Sequence, residues 1–498
     1  MTAAYDVILV GAGPTGAVLA ILLGQSGLRV LLTDRAPQIY PLPRAAHIDH
    51  ETVRIFQQAG VADAIMATSR PAEQYDFLTA DRQVLMRFLS HGSPSGWPAS
   101  NMIHQPSVEA ALRQRIADLA NVDLRVSWEL LDFHDAGAGV EARFRTVDGE
   151  QRVAARYLVG CDGAASLVRA HCGIGLEDLQ FDEPWLVIDT MVQDPARLPN
   201  INLQICDPAR PTTCVMMGAG RHRWEFMLKP DESPEVALGD GFIATLLAPW
   251  KVDGAVTLER KAVYRFHALV ADAWRRGPVF LAGDAAHQMP PFAGQGLCSG
   301  VRDAANLAWK LAAVLRGEAG EGLLDTYETE RRPHVKAIID LALMMGRTVC
   351  ILDPDAAAQR DAALLAQRSA APPDVPGQGM AFPPVAGPCV LTGSPAAGEP
   401  FVQPWSGTRR WDDVAGDGAW LITADAVSSD EVSNDAVSAG PGLRVLPLDD
   451  GIPGDFAQPL QAWLARRGAR AVLVRPDRYV FGTGAPEALI AAWRRALV

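Results

Sequence analysis

The chain has 498 residues, 49% apolar and 21% charged, which excludes a disordered or fibrous protein and leaves room for about three domains. Lysine plus arginine number 45 against 58 aspartates plus glutamates, a net charge of −13. That balance argues against a nucleic-acid binder that works by neutralising phosphates, and against docking on an anionic membrane. The seven cysteines form no CxxC and no zinc-type spacing, which fits a reduced setting. Met1–Asp6 has no basic leader region, and no long uncharged apolar run follows, so a soluble, cytoplasmic protein is expected.

Tyr5–Val10 is a β-branched run that ends at glycine and predicts a buried strand. Ala17–Gly24 predicts a helix and Arg29–Thr33 a second strand ending at Asp34, so a βαβ unit opens the chain. Glu51–Gln58 and Ser107–Leu119 carry amphipathic helical patterns. Val140–Thr146 and Arg152–Leu158 alternate around Asp148-Gly149, a hairpin signal. Residues 180–270 are rich in short strand-like runs, among them Trp185–Asp189, Thr213–Met217 and Trp224–Leu228, with few helical patterns. Val279–Ala282 predicts another buried strand, and Val301–Leu315 and Asp325–Met345 predict long helices. Ala370–Pro388 has the Ala, Pro and Gly content of a linker. Beyond it αβ alternation returns, with strands at Trp420–Thr423, Leu443–Pro447, Ala471–Val474 and Tyr479–Phe481. A turn is expected at Pro476-Asp477, helices at Pro459–Arg466 and Ala485–Leu497, and a polar surface loop over Ala424–Gly440.

Three strand-to-turn transitions carry chemistry. Gly11-Ala12-Gly13-Pro14-Thr15-Gly16 lies between a strand and a helix, and Asp34 closes the next strand. In such a loop the first glycine makes the turn, the second lets the backbone approach a pyrophosphate, and the third lets the helix pack on the strand. The helix N-terminus offers unpaired N–H groups to the pyrophosphate, and Asp34 offers an acceptor to a ribose hydroxyl. A second strand ends at Asp162-Gly163, followed by Ser166 and Arg169. A third, Val279–Ala282, runs into Gly283-Asp284-Ala285-Ala286-His287, then Pro290-Pro291, Gly294-Gln295-Gly296 and a helix with Arg302-Asp303, Asn306 and Leu307. Taken singly, Asp162-Gly163 is a turn and Asp284 a capping aspartate as readily as a ligand. Gly218-Ala219-Gly220 lacks a third glycine and reads as a hairpin turn, so no second dinucleotide site is expected.

These motifs, in this order, resemble the class A flavoprotein monooxygenases, the FAD-dependent aromatic hydroxylases. Gly283–Leu311 and Arg475–Gly482 are similar to the 3-(3-hydroxyphenyl)propionate hydroxylase branch, and the resemblance covers nearly the whole chain. It implies an α/β fold built on a discontinuous Rossmann-type FAD-binding domain (1–75, 101–180 and 271–370). An inserted α+β substrate-binding domain (76–100 and 181–270), a linker (371–384) and a thioredoxin-like domain (385–498) complete it. That last domain has no CxxC here, so it is expected to serve assembly and not thiol redox chemistry. The resemblance implies FAD held by Gly11, Gly13, Gly16, Asp34, Arg35, Arg44, Gln105, Asp162 and Asp284, with backbone N–H groups of Gly296 and Leu297 at the flavin edge. Asp34 departs from the glutamate of many members but keeps the carboxylate.

The implied reaction is hydroxylation of a phenolic acid of the 3-hydroxyphenylpropionate type by O2 through a flavin C4a-hydroperoxide, with NADPH or NADH as transient reductant, in a homodimer. Water must be excluded and the phenol must lose a proton. His47, Pro291 and Gly296 are the catalytic candidates. A structural histidine bonded to backbone is the other reading of His47. Gln204, Met216 and Arg223, with His47 and Phe292, are the substrate-side candidates. Arg223 there would pair a carboxylate bidentately, or is simply a solvated strand residue. Three readings compete: a hydroxylase of polycyclic aromatic polyketides, a halogenase or oxidase, and a non-catalytic flavin-binding assembly protein. The WxWxIP motif of related halogenases is missing.

Overall fold

In a computed structural model that describes residues 5–370, 382–424, 442–449 and 452–498, the strand Tyr5–Val10 lies between Val30–Asp34 and Gly149–Gly160. Both neighbours run parallel to it, and Val279–Leu281 adds in parallel beyond Gly149–Gly160. Parallel neighbours point the same way. The turns after Val10, Gly160 and Leu281, and the strand end at Asp34, therefore emerge side by side on one edge of the sheet. Val122–Val126 completes the parallel set, and Val140–Thr146 returns antiparallel along Gly149–Gly160 with Thr146 facing Gly149.

The helix Pro14–Gln25 begins with proline directly after Gly13, where a missing N–H costs nothing. It packs on Gly296–Leu315, which in turn packs on Gly322–Val349. A further helix, Pro354–Ala370, matches no expected element. Only Ala357 of it is buried, so no apolar stripe marks it and its helix-forming Ala, Gln and Arg content is the sole signal.

Strands drawn from residues 74–89, 176–271 and 287–288 build a second sheet in the strand order 287–288, 256–271, 176–192, 221–227, 212–217, 202–205, 74–78, 84–89. Its strands Leu176–Val192 and Val256–Ala271 are longer than the short runs expected. Gly218-Ala219-Gly220 is the hairpin turn between Thr212–Met217 and Arg221–Met227. A small sheet of His47–Asp49, Ser100–Met102 and Arg70–Pro71 lies in the chain between the two.

In the C-terminal part, Ala419–Thr423 pairs parallel with Leu443–Pro447 and antiparallel with Ala471–Val474, which pairs with Val480–Gly484. Alternation puts Ile422, Val472 and Val480 on one face with Trp411, Phe456 and Trp463, and Leu421, Leu473 and Phe481 on the other with Leu489 and Trp493. The helix Gly454–Arg466 runs through Pro459 and does not start there, because Phe456 and Leu460 bury one turn apart. Of the expected linker, residues 371–381 lie outside the described residues, as do residues 425–440 of the expected polar loop. The stretch after 381 is packed, with Val385 buried.

This part is joined to the first sheet's helices through buried charge. Arg475 pairs with Glu330 at 2.9 Å and with Asp477 at 2.6 Å. The same Glu330 oxygen takes Lys310 at 2.9 Å and Asn306 at 2.8 Å. Arg54 pairs with Asp412 through two hydrogen bonds, and Trp309 stacks on Trp493 with centroids 5.7 Å apart.

Breaking such a network by removing one partner leaves a buried charge short of compensation. Arg475→Met is therefore expected to lower the unfolding free energy by about 3–5 kcal/mol in a urea titration, and a loss under about 1 kcal/mol would mean that the network does not hold the parts together. Acid should act on the same groups. Burial opposes ionisation of Glu330 and Asp303, yet Arg475 and Lys310, and His287 and Arg331, hold both carboxyls at about 2, below the ordinary 4.5 and 3.8. Burial, with Arg331 and Arg302, lowers His334 from 6.5 to about 2. All three folded values lie below the unfolded ones, so their stabilisation is full above 6.5 and drains as pH falls toward 2. Urea midpoints should fall steadily from about pH 7 to about pH 4; a flat profile would contradict it.

Candidate active site

At the shared strand edge the three turns interlock. Gly11 has φ +106°, and a side chain there would strike the Cys161 carbonyl; one at Gly16 would strike the Gly11 carbonyl. A side chain at Gly13 would meet nothing within 4 Å, so the loop is open where a ligand would approach the helix N-terminus. Asp34 accepts from the Ala12 N–H at 3.0 Å and the Ala36 N–H at 2.8 Å, and so holds the loop in place. Each carboxylate oxygen has a further lone pair for a hydroxyl. Asp162 accepts from Ser166 at 2.5 Å and from the Val168 N–H at 3.1 Å. Its carboxylate thus caps the short helix Leu167–His171. Arg169 in that helix donates to the carbonyls of Ala164 and Ala285, clasping the second turn to the third.

The third turn is fixed from behind. Asp303 accepts from the Gly283 N–H at 3.0 Å, pairs with His287 Nε2 at 2.7 Å and takes Arg331 at 2.9 Å. Asp284 is thereby left facing a cavity of about 520 Å³, and no hydrogen bond from the described residues reaches its carboxylate. The side chain is bare toward the cavity but surrounded by dense protein, and burial raises its pKa against the pull of His287 and Arg44.

The cavity runs from Gly13–Thr15 past Asp284 and the Pro291–Leu297 turn to one face of the second sheet. Gly296 opens the long helix, and a methyl there would project into nearly open space, with Met289 at 3.9 Å. Gln295 lines the cavity; Arg302 holds its Oε1 at 3.0 Å, while its buried Nε2 has no acceptor. Gln105 is buried and occupied on both sides, accepting from the Ala45 N–H at 2.7 Å and donating to Glu109 at 2.7 Å. Phe292 forms the wall, edge-on to Trp185 and Phe181. Arg44, Leu297 and Pro291 also line the cavity, whereas Arg35 is exposed on the surface and does not.

His47 lies at the wall with both ring nitrogens engaged, Nδ1 to the Gly294 carbonyl at 3.2 Å and Nε2 to the Ser100 hydroxyl at 2.9 Å. With Nδ1–H donating to the carbonyl, Nε2 accepts from Ser100. Burial lowers the His47 pKa despite Asp49, so the ring is neutral near pH 7. Arg223 lines the cavity too, but its guanidinium is occupied. It pairs with Asp189 at 2.6 Å and donates to the carbonyls of Arg44 and Pro43, each at 2.8 Å. Arg223 therefore pins the Pro43–Arg44 segment over the sheet and has no open fork for a carboxylate. Gln204 and Met216 are buried beside the cavity and do not line it. Gln204 instead takes the hydroxyls of Tyr75 and Thr213. Sequence reasoning passed over Glu225, Tyr75 and Ser100, all on the cavity wall. Strand alternation puts Glu225 on the face of Arg223, two residues away, and was the available signal.

The open glycine loop at a helix N-terminus, the orphaned Asp284 carboxylate and the orphaned Gln295 amide fit a dinucleotide flavin laid along the cavity. The sequence comparisons agree. Residues 4–342 match the family described as FAD binding domain, and residues 398–497 the family described as HcaD C-terminal domain. The chain is 38% identical, over 99% of its length and 95% of the relative's, to a protein of Rhodococcus jostii named probable NADH-specific resorcinol 4-hydroxylase. It is 36% identical, over 95% of its length and 88% of the relative's, to a 3-(3-hydroxy-phenyl)propionate/3-hydroxycinnamic acid hydroxylase of Mycolicibacterium gilvum. Among solved structures, aklavinone-11 hydroxylase in complex with FAD and aklavinone superposes with TM-score 0.80 at 28% identity, covering 100% of this chain and 99% of that one. The flavin-dependent monooxygenase PieE, in complex with FAD and substrate, does so with TM-score 0.83 at 25% identity, covering 99% of each.

Asp284→Ala should weaken FAD retention about tenfold or more, since it removes an acceptor that a buried hydroxyl of the cofactor would use. Flavin occupancy after prolonged dialysis measures this, and unchanged occupancy would remove Asp284 from the binding set.

Proposed function

Because this chain belongs to the FAD-dependent aromatic hydroxylases, which draw on a nicotinamide and O2, we propose that it hydroxylates a one-ring phenol ortho or para to the ring hydroxyl, with NADH as reductant. The observation that carries the reading is the continuity of the cavity, from the glycine loop to the second sheet. Both relatives' names give one-ring phenols, which favours one ring over a polycyclic polyketide. The two relatives' names bring resorcinol and 3-(3-hydroxy-phenyl)propionate as the substrates to test.

Bound FAD supplies the electron transfer from the nicotinamide and the activation of dioxygen; the chain's own residues do the rest. Gly11, Gly13, Gly16, Arg44 and Gln105 would hold the cofactor, with Asp34 taking a ribose hydroxyl and Asp284 a hydroxyl of its polyol; Arg35, exposed on the surface, is left out of this set. The N–H groups of Gly296 and Leu297, at the start of a helix, would stabilise the flavin edge that gains negative charge on reduction. Asp162 acts at one remove, by holding the second turn. Phe292, backed by Phe181 and Trp185, keeps water from the reacting face. Neutral His47, through Ser100, takes up the phenol proton. A cytoplasmic homodimer is the assembly we propose with it; among the described residues no helix is long and apolar enough to cross a membrane.

The test is a screen of NADH and NADPH oxidation over phenol, resorcinol, 3-(3-hydroxyphenyl)propionate and a polycyclic phenol, with product and H2O2 measured together. Product from a one-ring phenol is expected, and product only from the polycyclic compound would overturn the reading. Activity should fall in acid with a midpoint below the ordinary histidine value of 6.5, as His47 gains the proton that its lowered pKa disfavours. Gly296→Ala puts a methyl into the shared cavity. A displacement of about 1 Å can cost roughly a hundredfold in a positioned reaction. This variant should therefore lose product faster than NADH oxidation, the difference appearing as H2O2. Equal losses with no extra peroxide would show Gly296 to be structural only.

A further inference from the structure

Glu225 is the carboxylate on the substrate face of the second sheet whose environment the reaction above leaves unexplained. It lies in register with Val187 on one neighbouring strand and Thr213 on the other, with its side chain on the cavity wall and 6% exposed. Its one protein partner is Arg223 Nη1 at 3.5 Å, and that guanidinium already serves Asp189 and two backbone carbonyls. No other hydrogen bond from the described residues reaches Glu225. The nearby hydroxyls of Tyr75 and Thr213 both donate to Gln204 and so turn away from it. A buried carboxylate is rarely left so poorly served.

The local charge points the same way. Arg223 and Arg260 are balanced by Asp189 and Glu225, so this wall is neutral as built. A ligand carboxylate placed there would be an unmatched buried anion. The other arginine on the substrate side, Arg265, is more than half exposed and pairs with Asp182 at 2.7 Å.

We propose that the Glu225 carboxylate receives a hydrogen bond from a second ring hydroxyl of the substrate, so that this cavity selects an uncharged dihydric phenol over a phenol carrying a carboxylate side chain. The proposal rests on the phenol-hydroxylase reading and names the substrate class for that site.

Binding can be read without turnover. FAD-loaded, oxidised enzyme is titrated with resorcinol, 3-methoxyphenol, phenol and 3-(3-hydroxyphenyl)propionate, following the perturbation of flavin absorbance. Resorcinol is expected to bind about tenfold or more tighter than 3-methoxyphenol, which has the same ring but no second donor. It should also bind tighter than the propionate. Glu225→Gln should shrink the first difference and strengthen binding of the propionate, with phenol little changed. Equal affinity for resorcinol and 3-methoxyphenol in the natural enzyme overturns the proposal whatever the variant does. So does a resorcinol preference that survives Glu225→Gln, or tighter binding of the propionate than of resorcinol. If no phenol perturbs the flavin, the phenol-hydroxylase reading itself falls, and this proposal with it.

Discussion

Arg302 sits where water does not reach, and its guanidinium donates to Asp49 at 2.5 Å, Glu51 at 2.9 Å and Gln295 at 3.0 Å. A cation at that depth is tolerated only with its counter-charges in place. Burial works against the Asp49 carboxylate, but Arg302 holds its pKa well below the usual range. The three partners come from different places: Asp49 follows His47, Gln295 precedes the long helix, and Glu51 also takes the Tyr479 hydroxyl from the C-terminal part at 2.8 Å. None of these can shift without unpairing the guanidinium. The next residue, Asp303, does the same for the turn that presents Asp284. Two consecutive side chains of one helix thus set the wall, the turn and the cavity-facing helix end against each other.

The cavity inherits its character from that arrangement. His47 is bonded at both nitrogens and kept neutral by burial, so it is a fixed polar element of the wall. Arg223, which a reading of charge alone assigns to a substrate carboxylate, instead stitches the Pro43–Arg44 segment to the second sheet. The two buried cations of the second sheet, Arg223 and Arg260, are thus committed to the protein. On the second sheet's face of the cavity, what remains open among the described residues is one carboxylate, Glu225, beside aromatic and small polar side chains.

The C-terminal part is an αβ unit with no cysteine pair in its sequence; Cys389 is a single buried thiol. Its contribution lies elsewhere. Trp493 stacks on Trp309, and Arg475 and Asp477 complete the charge network around Glu330 on the helices behind the cavity. Removing it would expose a stacked tryptophan and strip Glu330 of one of its two cations. The resemblance of Arg475–Gly482 to relatives thus has a physical meaning, since that segment is the plug that enters the other part.

Much of the architecture was legible in the residues themselves. The βαβ unit, the glycine loop, the strand ends at Asp162 and Asp284 and the hairpin at Asp148-Gly149 are local, because turn geometry and hydrophobic period are properties of a few neighbouring residues. The family, and with it the flavin and the phenol chemistry, came through the resemblance that those signals, in that order, bear to known hydroxylases. What each polar side chain does was not legible. Arg223 and Glu225 are two residues apart on one strand face and share a pattern, yet one is saturated and the other nearly bare. That difference comes from Asp189, Pro43 and Arg44, which only the fold brings near. Asp162 and Asp284 end strands in the same way, yet one caps a helix and the other faces the cavity, because Ser166 and Val168 reach only the first. A hydrogen bond depends on distances of a few tenths of an ångström between segments far apart in the chain, and no periodicity records them. The sequence alone determined which chemistry this chain is built for; the tertiary structure decided which side chains are free to take part in it.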